Sequence, residues 1–262
     1  MSETTENQTL PEEDGCCGGG CGCHEHDDDH ECCGGHGEEE GCDGGCGGCG
    51  GGCHHDQVGI FVVTPLETNC YVYISGDECM VVDPGGSGAK LAEHLPEGLK
   101  VKYIAATHGH GDHVGGVKAL REATGGTYVI HPLDAERAQH AGEMSEMGRA
   151  YDDNAPEPDM TYSEGDSISV GTATFTVLET PGHTPGSVCL IGGDTAQGVV
   201  FTGDTVFKGS CGRTDLEGGN AQQMMESLAH FKEVVPARTT LFTGHGDYTT
   251  MMDELKLNPF FA

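Results

Sequence analysis

The chain changes character at residue 56, and only residues 57–262 have the side chains to build a core. Residues 1–56 hold no Lys or Arg, but 15 of the 43 acids, 10 of the 14 cysteines, 6 of the 15 histidines and 16 of the 44 glycines. After Leu10 this segment has almost no aliphatic or aromatic side chains, so burial cannot offset the entropy of ordering it. We read residues 1–56 as a low-complexity, acidic, Cys/His/Gly-rich tail, expected to be disordered, and residues 57–262 as one folded domain that succeeds it without a linker. The 206 residues of that domain carry 12 bases and 28 acids (43 − 15), a net charge of −16. A domain of this size buries a full core without disulfides.

The charge of the whole chain, −31, argues against nucleic acid and anionic lipid as partners, because both demand cationic patches. No apolar run approaches the ~18 residues of a membrane span. The polar start lacks the cationic and apolar stretches of a secretion signal. A cytoplasmic protein with mostly reduced thiols is expected, which favours metal ligation over disulfides. In the tail, Cys16, Cys17, Cys21, Cys23, Cys32, Cys33, Cys42, Cys46, Cys49 and Cys53 are interleaved with His24, His26, His30, His54 and His55. The Cys46-x-x-Cys49 spacing gives one ion two thiolates from a single turn. Residues 16–55 are thus expected to take an extra thiophilic ion such as Zn, Ni or Cu(I), as a reservoir or sensor; the alternative is a solvated tail with incidental ligands.

From Gln57 onward, short β-rich runs at 58–64, 70–75 and 79–82 are separated by polar turns, the last ending at Asp83-Pro84-Gly85-Gly86. Helical apolar spacing covers 87–95, 114–123, 132–140 and 220–231. Further strand patterns lie at 102–107, 127–130, 167–170, 172–178, 187–191, 199–202 and 240–242, and the polar, proline-bearing stretch 151–162 reads as a loop or lid. Strands alternating with helices, together with consecutive hairpin-like strands, predict an α/β fold with mixed sheets.

Ligand-type residues gather where these strands stop. Thr107-His108-Gly109-His110-Gly111-Asp112-His113 puts three histidines and an aspartate into six residues, a pattern that serves no packing face. His183 in Thr180-Pro181-Gly182-His183, Asp204 after Gly203 and His245 in Thr243-Gly244-His245-Gly246 occupy equivalent settings. Imidazoles and carboxylates suit Zn, Fe or Mn, and seven ligands suffice for two adjacent ions.

This series, His108-x-His110-x-Asp112-His113 with downstream His183, Asp204 and His245, resembles the metallo-β-lactamase superfamily across residues 57–262 and nowhere in 1–56. The resemblance implies an αββα sandwich of two mixed β-sheets with two divalent ions at one edge. It assigns His108, His110 and His183 to the first ion and Asp112, His113 and His245 to the second, with Asp204 bridging. Gly209-Ser210-Cys211-Gly212-Arg213-Thr214-Asp215 is similar to the glyoxalase II and persulfide dioxygenase branch, and Asn258-Pro259-Phe260 to compact glyoxalase II-like proteins. The sequence has no counterpart of the C-terminal helical region through which glyoxalase II contacts glutathione, so the thiol carrier stays open.

The resemblance implies a thioester hydrolase in which two metals share a water and lower its pKa, with Asp112 and Asp204 orienting the hydroxide. The alternative within the family is an iron persulfide dioxygenase using His108, His183 and Asp204. An alternative of another class is a metal-buffering protein acting through its tail. Arg213 either orients a substrate carboxylate or pairs with Asp215. Cys70, Cys79 and Cys189 read as small core residues.

Overall fold

A computed structural model describes residues 56–142 and 153–261. Six strands form one sheet: β1 (Gln57–Val63), β2 (Thr68–Ser75), β3 (Glu78–Val82), β4 (Lys100–Ala106), β5 (Thr127–Ile130) and β6 (Met160–Thr161), side by side in that order. The first three run antiparallel, and β3 through β6 run parallel. Between them lie α1 (Gly88–His94), α2 (Gly111–Val114), α3 (Val117–Thr124) and α4 (Pro132–Gln139). The second sheet takes β7 (Ser167–Val170), β8 (Ala173–Glu179), β9 (Val188–Asp194), β10 (Val199–Gly203), β13 (Thr240–Thr243) and β14 (Thr249–Thr250), with β10 and β13 parallel. A small hairpin of β11 (Val206–Phe207) and β12 (Ser210–Cys211), α5 (Ala221–Val234), α6 (Met251–Leu257) and a 3-10 turn (Pro259–Phe261) complete it.

The period-2 rule of strands explains the layering, because successive side chains face opposite ways and both faces are covered. In β2, Tyr71 and Tyr73 enter the core between the sheets while Cys70 and Val72 face the helices outside; in β3, Met80 and Val82 point in, Cys79 and Val81 out. The second sheet mirrors this, with Phe201 and Phe242 inward and Val200 and Leu241 outward against Met224, Leu228 and Phe231 of α5. The result is the expected αββα sandwich. Cys70, Cys79 and Cys189 are buried core residues, as read from the sequence.

Two expectations are corrected. The single helix expected over 114–123 is broken into α2 and α3 at Gly115-Gly116, because the Asp83–Gly86 turn presses in there: a Cβ on Gly116 would lie 2.7 Å from Pro84 O. The described part of the stretch read as a loop or lid is a loop as far as Asp159, but one fixed to the first sheet rather than a free lid. β6 pairs with β5, Ala155 is buried, and the Tyr162 hydroxyl donates to Ala106 O at 2.6 Å. The short β6, β11, β12 and β14 and the helix α6 left no periodic signal, having at most seven residues each. Among the described residues, no helix is long and apolar enough to cross a membrane. Residues 1–55 of the tail and residues 151–152 of the stretch 151–162 lie outside the described residues.

Candidate metal centre

Four strand ends meet at one edge of the sandwich. His108 and His110 follow β4, Asp112 and His113 sit on α2, His183 follows β8, Asp204 follows β10 and His245 follows β13. His108, His110, Asp112, His113 and His183 are buried; Asp204 and His245 are half-buried.

The ring nitrogens converge in two groups. His110 Nδ1 lies 3.1 Å from His108 Nε2 and 2.8 Å from His183 Nε2. His245 Nε2 lies 3.3 Å from His113 Nε2 and 3.2 Å from Asp112 Oδ2. The Asp204 carboxylate spans them: Oδ2 is 3.3 Å from His183 Nε2 and Oδ1 is 3.4 Å from His113 Nε2. The ligand atoms of each three-residue group, including His108, His113 and Asp204, lie within 4.8 Å of one another.

Acceptors on the far side of four imidazoles fix which nitrogen faces the centre. Nδ1 donates to Thr107 Oγ1 from His108 (3.1 Å), to Asp83 Oδ2 from His113 (2.9 Å), to Arg213 O from His183 (2.7 Å) and to Leu66 O from His245 (3.1 Å). Each Nε2 therefore presents a lone pair inward, the form in which imidazole ligates a metal. Asp83, buried and with φ 53°, also accepts from Thr107 N and Oγ1, both at 2.7 Å. It fixes backbone and rings rather than pointing at the centre.

The electrostatics differ between the groups. Burial first, then neighbouring imidazoles, holds the pKa of His108 and of His110 well below the ordinary value. Burial also disfavours charge on His113, but Asp112, Asp204 and Asp83 outweigh it and push its pKa up to about 10. Burial would raise the Asp112 carboxyl, yet His113 and His245 hold it low. His108 and His110 are thus held in the neutral form, whereas around Asp112 carboxylate and imidazole favour each other's charged form.

The donor set fits a pair of divalent ions. Nitrogens of two imidazoles on one tetrahedral ion stand about 3.3 Å apart at ordinary bond lengths, close to the separations here. Asp204 Oδ1 is buried without a hydrogen-bond partner, an expense that a cation removes. The His/Asp cluster is suited to a dinuclear metal.

Arg213 makes the pair with Asp215 that the sequence offered as one alternative. Its guanidinium makes a two-pronged pair with Asp215 (2.8 and 2.9 Å), both side chains more than half exposed, while its carbonyl serves His183. Burial pushes the Cys211 thiol up, away from nucleophile behaviour.

Sequence reasoning missed the residues that hold the ligands. Thr68 Oγ1 donates to Asp112 Oδ2 (2.9 Å), and Asn69 grips the His245 loop through Thr243 O and Gly246 O. Asp134 binds both the His108 and His183 loops. They come from β2 and α4, distant in sequence, and no spacing rule links them.

The profile described as Metallo-beta-lactamase superfamily matches residues 63–256. A protein of Haemophilus influenzae named hydroxyacylglutathione hydrolase GloC is 30% identical over 78% of this chain and 97% of its own length. Among solved structures, BLEG-1, described as a B3 metallo-beta-lactamase, has a TM-score of 0.72 and 33% identity over 79% of this chain and 100% of that one. TTHA1623 in a di-iron-bound form has a TM-score of 0.68 and 35% identity over 77% of this chain and 98% of that one.

Proposed function

The chain belongs to the metallo-β-lactamase superfamily, and from that premise we propose that it hydrolyses a small-molecule thioester in the manner of glyoxalase II. The observation that carries the reading is the Asp204 carboxylate, which lies close to nitrogens of both groups, Oδ2 to His183 and His245 and Oδ1 to His113. On this reading His108, His110 and His183 hold one ion, Asp112, His113 and His245 hold the other, and Asp204 lies between. Zn is the favoured metal, with Fe or Mn as alternatives; the di-iron form of TTHA1623 supports the pairing of ions. Two divalent ions so held would supply Lewis acidity toward a carbonyl and hydroxide near neutral pH.

The chain's own groups do the rest. Asp204 would orient the attacking water toward the carbonyl, and Asp112, anchored by Thr68, keeps its side of the site in register. The five imidazoles stay fixed, so little reorganisation accompanies the reaction. A thiolate, whose conjugate acid has a pKa near ~8.5, leaves without much general-acid help. A substrate carboxylate would meet Arg213 in competition with Asp215.

The test is hydrolysis of S-D-lactoylglutathione by the full chain loaded with Zn or Fe, with Asp204→Asn as control. Turnover that falls by about 100-fold or more in the control supports the reading. Two bound metals without turnover removes this substrate. The same assay on a cephalosporin addresses the lactam suggested by the B3 β-lactamase description of BLEG-1.

A second reading, an iron persulfide dioxygenase, is favoured by one contact: His183 Nε2 lies 3.3 Å from Asp204 Oδ2, with the His108 ring beside it at 4.8 Å between centroids. One iron per chain and sulfur-dependent oxygen uptake would establish it instead.

A further inference from the structure

Helix α4 contributes no ligand, yet it carries a carboxylate fully removed from solvent beside the all-nitrogen group. Asp134, in the first turn of α4, is 0% exposed. Its Oδ2 accepts from Gly109 N at 2.7 Å and from Thr184 Oγ1 at 2.6 Å, and its Oδ1 accepts from Gly186 N at 2.8 Å. Gly109 separates His108 from His110, and Thr184 and Gly186 follow His183. One carboxylate thus holds the two loops that bring these three nitrogens together, through three neutral donors.

The glycines are required by the closeness of this grip. A Cβ on Gly109 would lie 2.6 Å from Asp134 O, and one on Gly186 would lie 2.7 Å from Asp134 Oδ1. Arg137, one turn further along α4, donates from Nη2 to Glu217 O and so braces the 213–219 loop, whose Arg213 carbonyl orients His183.

The other group is held elsewhere. Asp112 takes its hydrogen bond from Thr68, His113 gives its own to Asp83, and His245 is fixed by Leu66 O and by the bridge between Thr68 and His245. Thr107 joins the two supports, linking His108 to Asp83.

We infer that Asp134 is a positioning residue for the His108–His110–His183 group alone, setting its metal affinity and ring geometry independently of the Asp112–His113–His245 group. The inference rests on the two-ion reading above. Asn at 134 keeps the size but turns an N–H toward one of the backbone or hydroxyl donors that Asp134 satisfies. Loss of such an outer contact typically costs 10–100-fold in metal affinity.

The experiment is a Co(II) titration of the full chain with its accessible thiols alkylated, read by the hyperfine-shifted, exchangeable N–H protons of ligating imidazoles. The all-nitrogen group gives three such signals, from His108, His110 and His183, and the other gives two, from His113 and His245. In Asp134→Asn the three should require about 10–100-fold more Co(II), with the two within about 2-fold of wild type. Thr68→Val should do the reverse. Thr184→Val, which removes one donor from Asp134 at nearly constant volume, should reproduce the first pattern more weakly and covers a failure of Asp134→Asn to fold. A purely structural role would lower the melting temperature and leave both sets at wild-type affinity, overturning the inference; equal weakening of both sets would also overturn it. A wild-type chain that takes a single ion overturns the two-ion reading instead. In that case Asp134→Asn weakening an ion that shows the His108, His110 and His183 signals still supports the inference, and leaving such an ion unchanged, or weakening one that shows the His113 and His245 signals, overturns it.

Discussion

Gly244 shows how little room the centre leaves. It precedes His245, and its N–H donates to Gly203 O, joining the loops of His245 and Asp204. A Cβ there would stand 2.1 Å from Asp204 Oδ1 and 2.9 Å from His113 Cε1. Gly244→Ala should therefore displace Asp204, reduce metal content below two per chain and cut turnover by about 100-fold, the scale of a 1 Å misplacement at a reacting centre. Metal analysis beside kinetics checks this, and two tightly held ions in the variant would refute it. Asp83 works at the same scale from outside. Its left-handed backbone ends β3 and aims both carboxylate oxygens at Thr107 and His113.

At the scale of elements, the centre depends on the two sheets keeping their relation, and Glu78 is one fastening between them. Its carboxylate, on β3, takes Lys102 at 2.7 Å, Gly171 N of the β7–β8 turn at 3.1 Å and Lys100 at 3.1 Å. These contacts, Lys102 first, draw its pKa from 4.5 down to about 2. A carboxyl depressed on folding contributes stability above its unfolded pKa and loses it as pH falls through the folded one. Glu78→Gln should cost about 1 kcal/mol at pH 7, in keeping with a partly exposed charged network. The difference should shrink below pH 4.5 and be gone near pH 2, as denaturant melts of the two proteins at several pH values would show. An undiminished difference at pH 2 would assign the effect to packing instead.

At the scale of the molecule, charge and tail dominate. The folded part carries −16 over 206 residues, and crowded carboxylates repel unless screened. We expect a surface adapted to salt, so that the melting temperature climbs by several degrees between dilute buffer and about 1 M KCl, where the screening length drops to ~3 Å. A maximum in dilute buffer would count against it. Residues 16–55 make a separate claim, since their ten cysteines suit Zn or Cu(I). The full chain should bind more than two Zn per molecule, the excess vanishing when accessible thiols are alkylated. An unchanged count of two would dispose of the proposed reservoir.

The sequence by itself determined the class of fold and marked out a His/Asp cluster suited to metal. A run such as His108-Gly109-His110-Gly111-Asp112-His113 is local, and its meaning survives without knowing what lies opposite. Alternation in 70–75 and 79–82 likewise names both faces of a strand from covalent geometry alone. The break between α2 and α3, the attachment of residues 153–162 to the first sheet and the grips of Thr68, Asn69 and Asp134 were decided only by tertiary structure. Each depends on a contact between segments far apart in the chain, 44 residues for Thr68 to Asp112 and 52 for Asp134 to Gly186. An aspartate in the first turn of a helix looks, in sequence, like an ordinary charge facing the helix dipole. Only the approach of two glycine-bearing loops turns it into a buried acceptor with three donors.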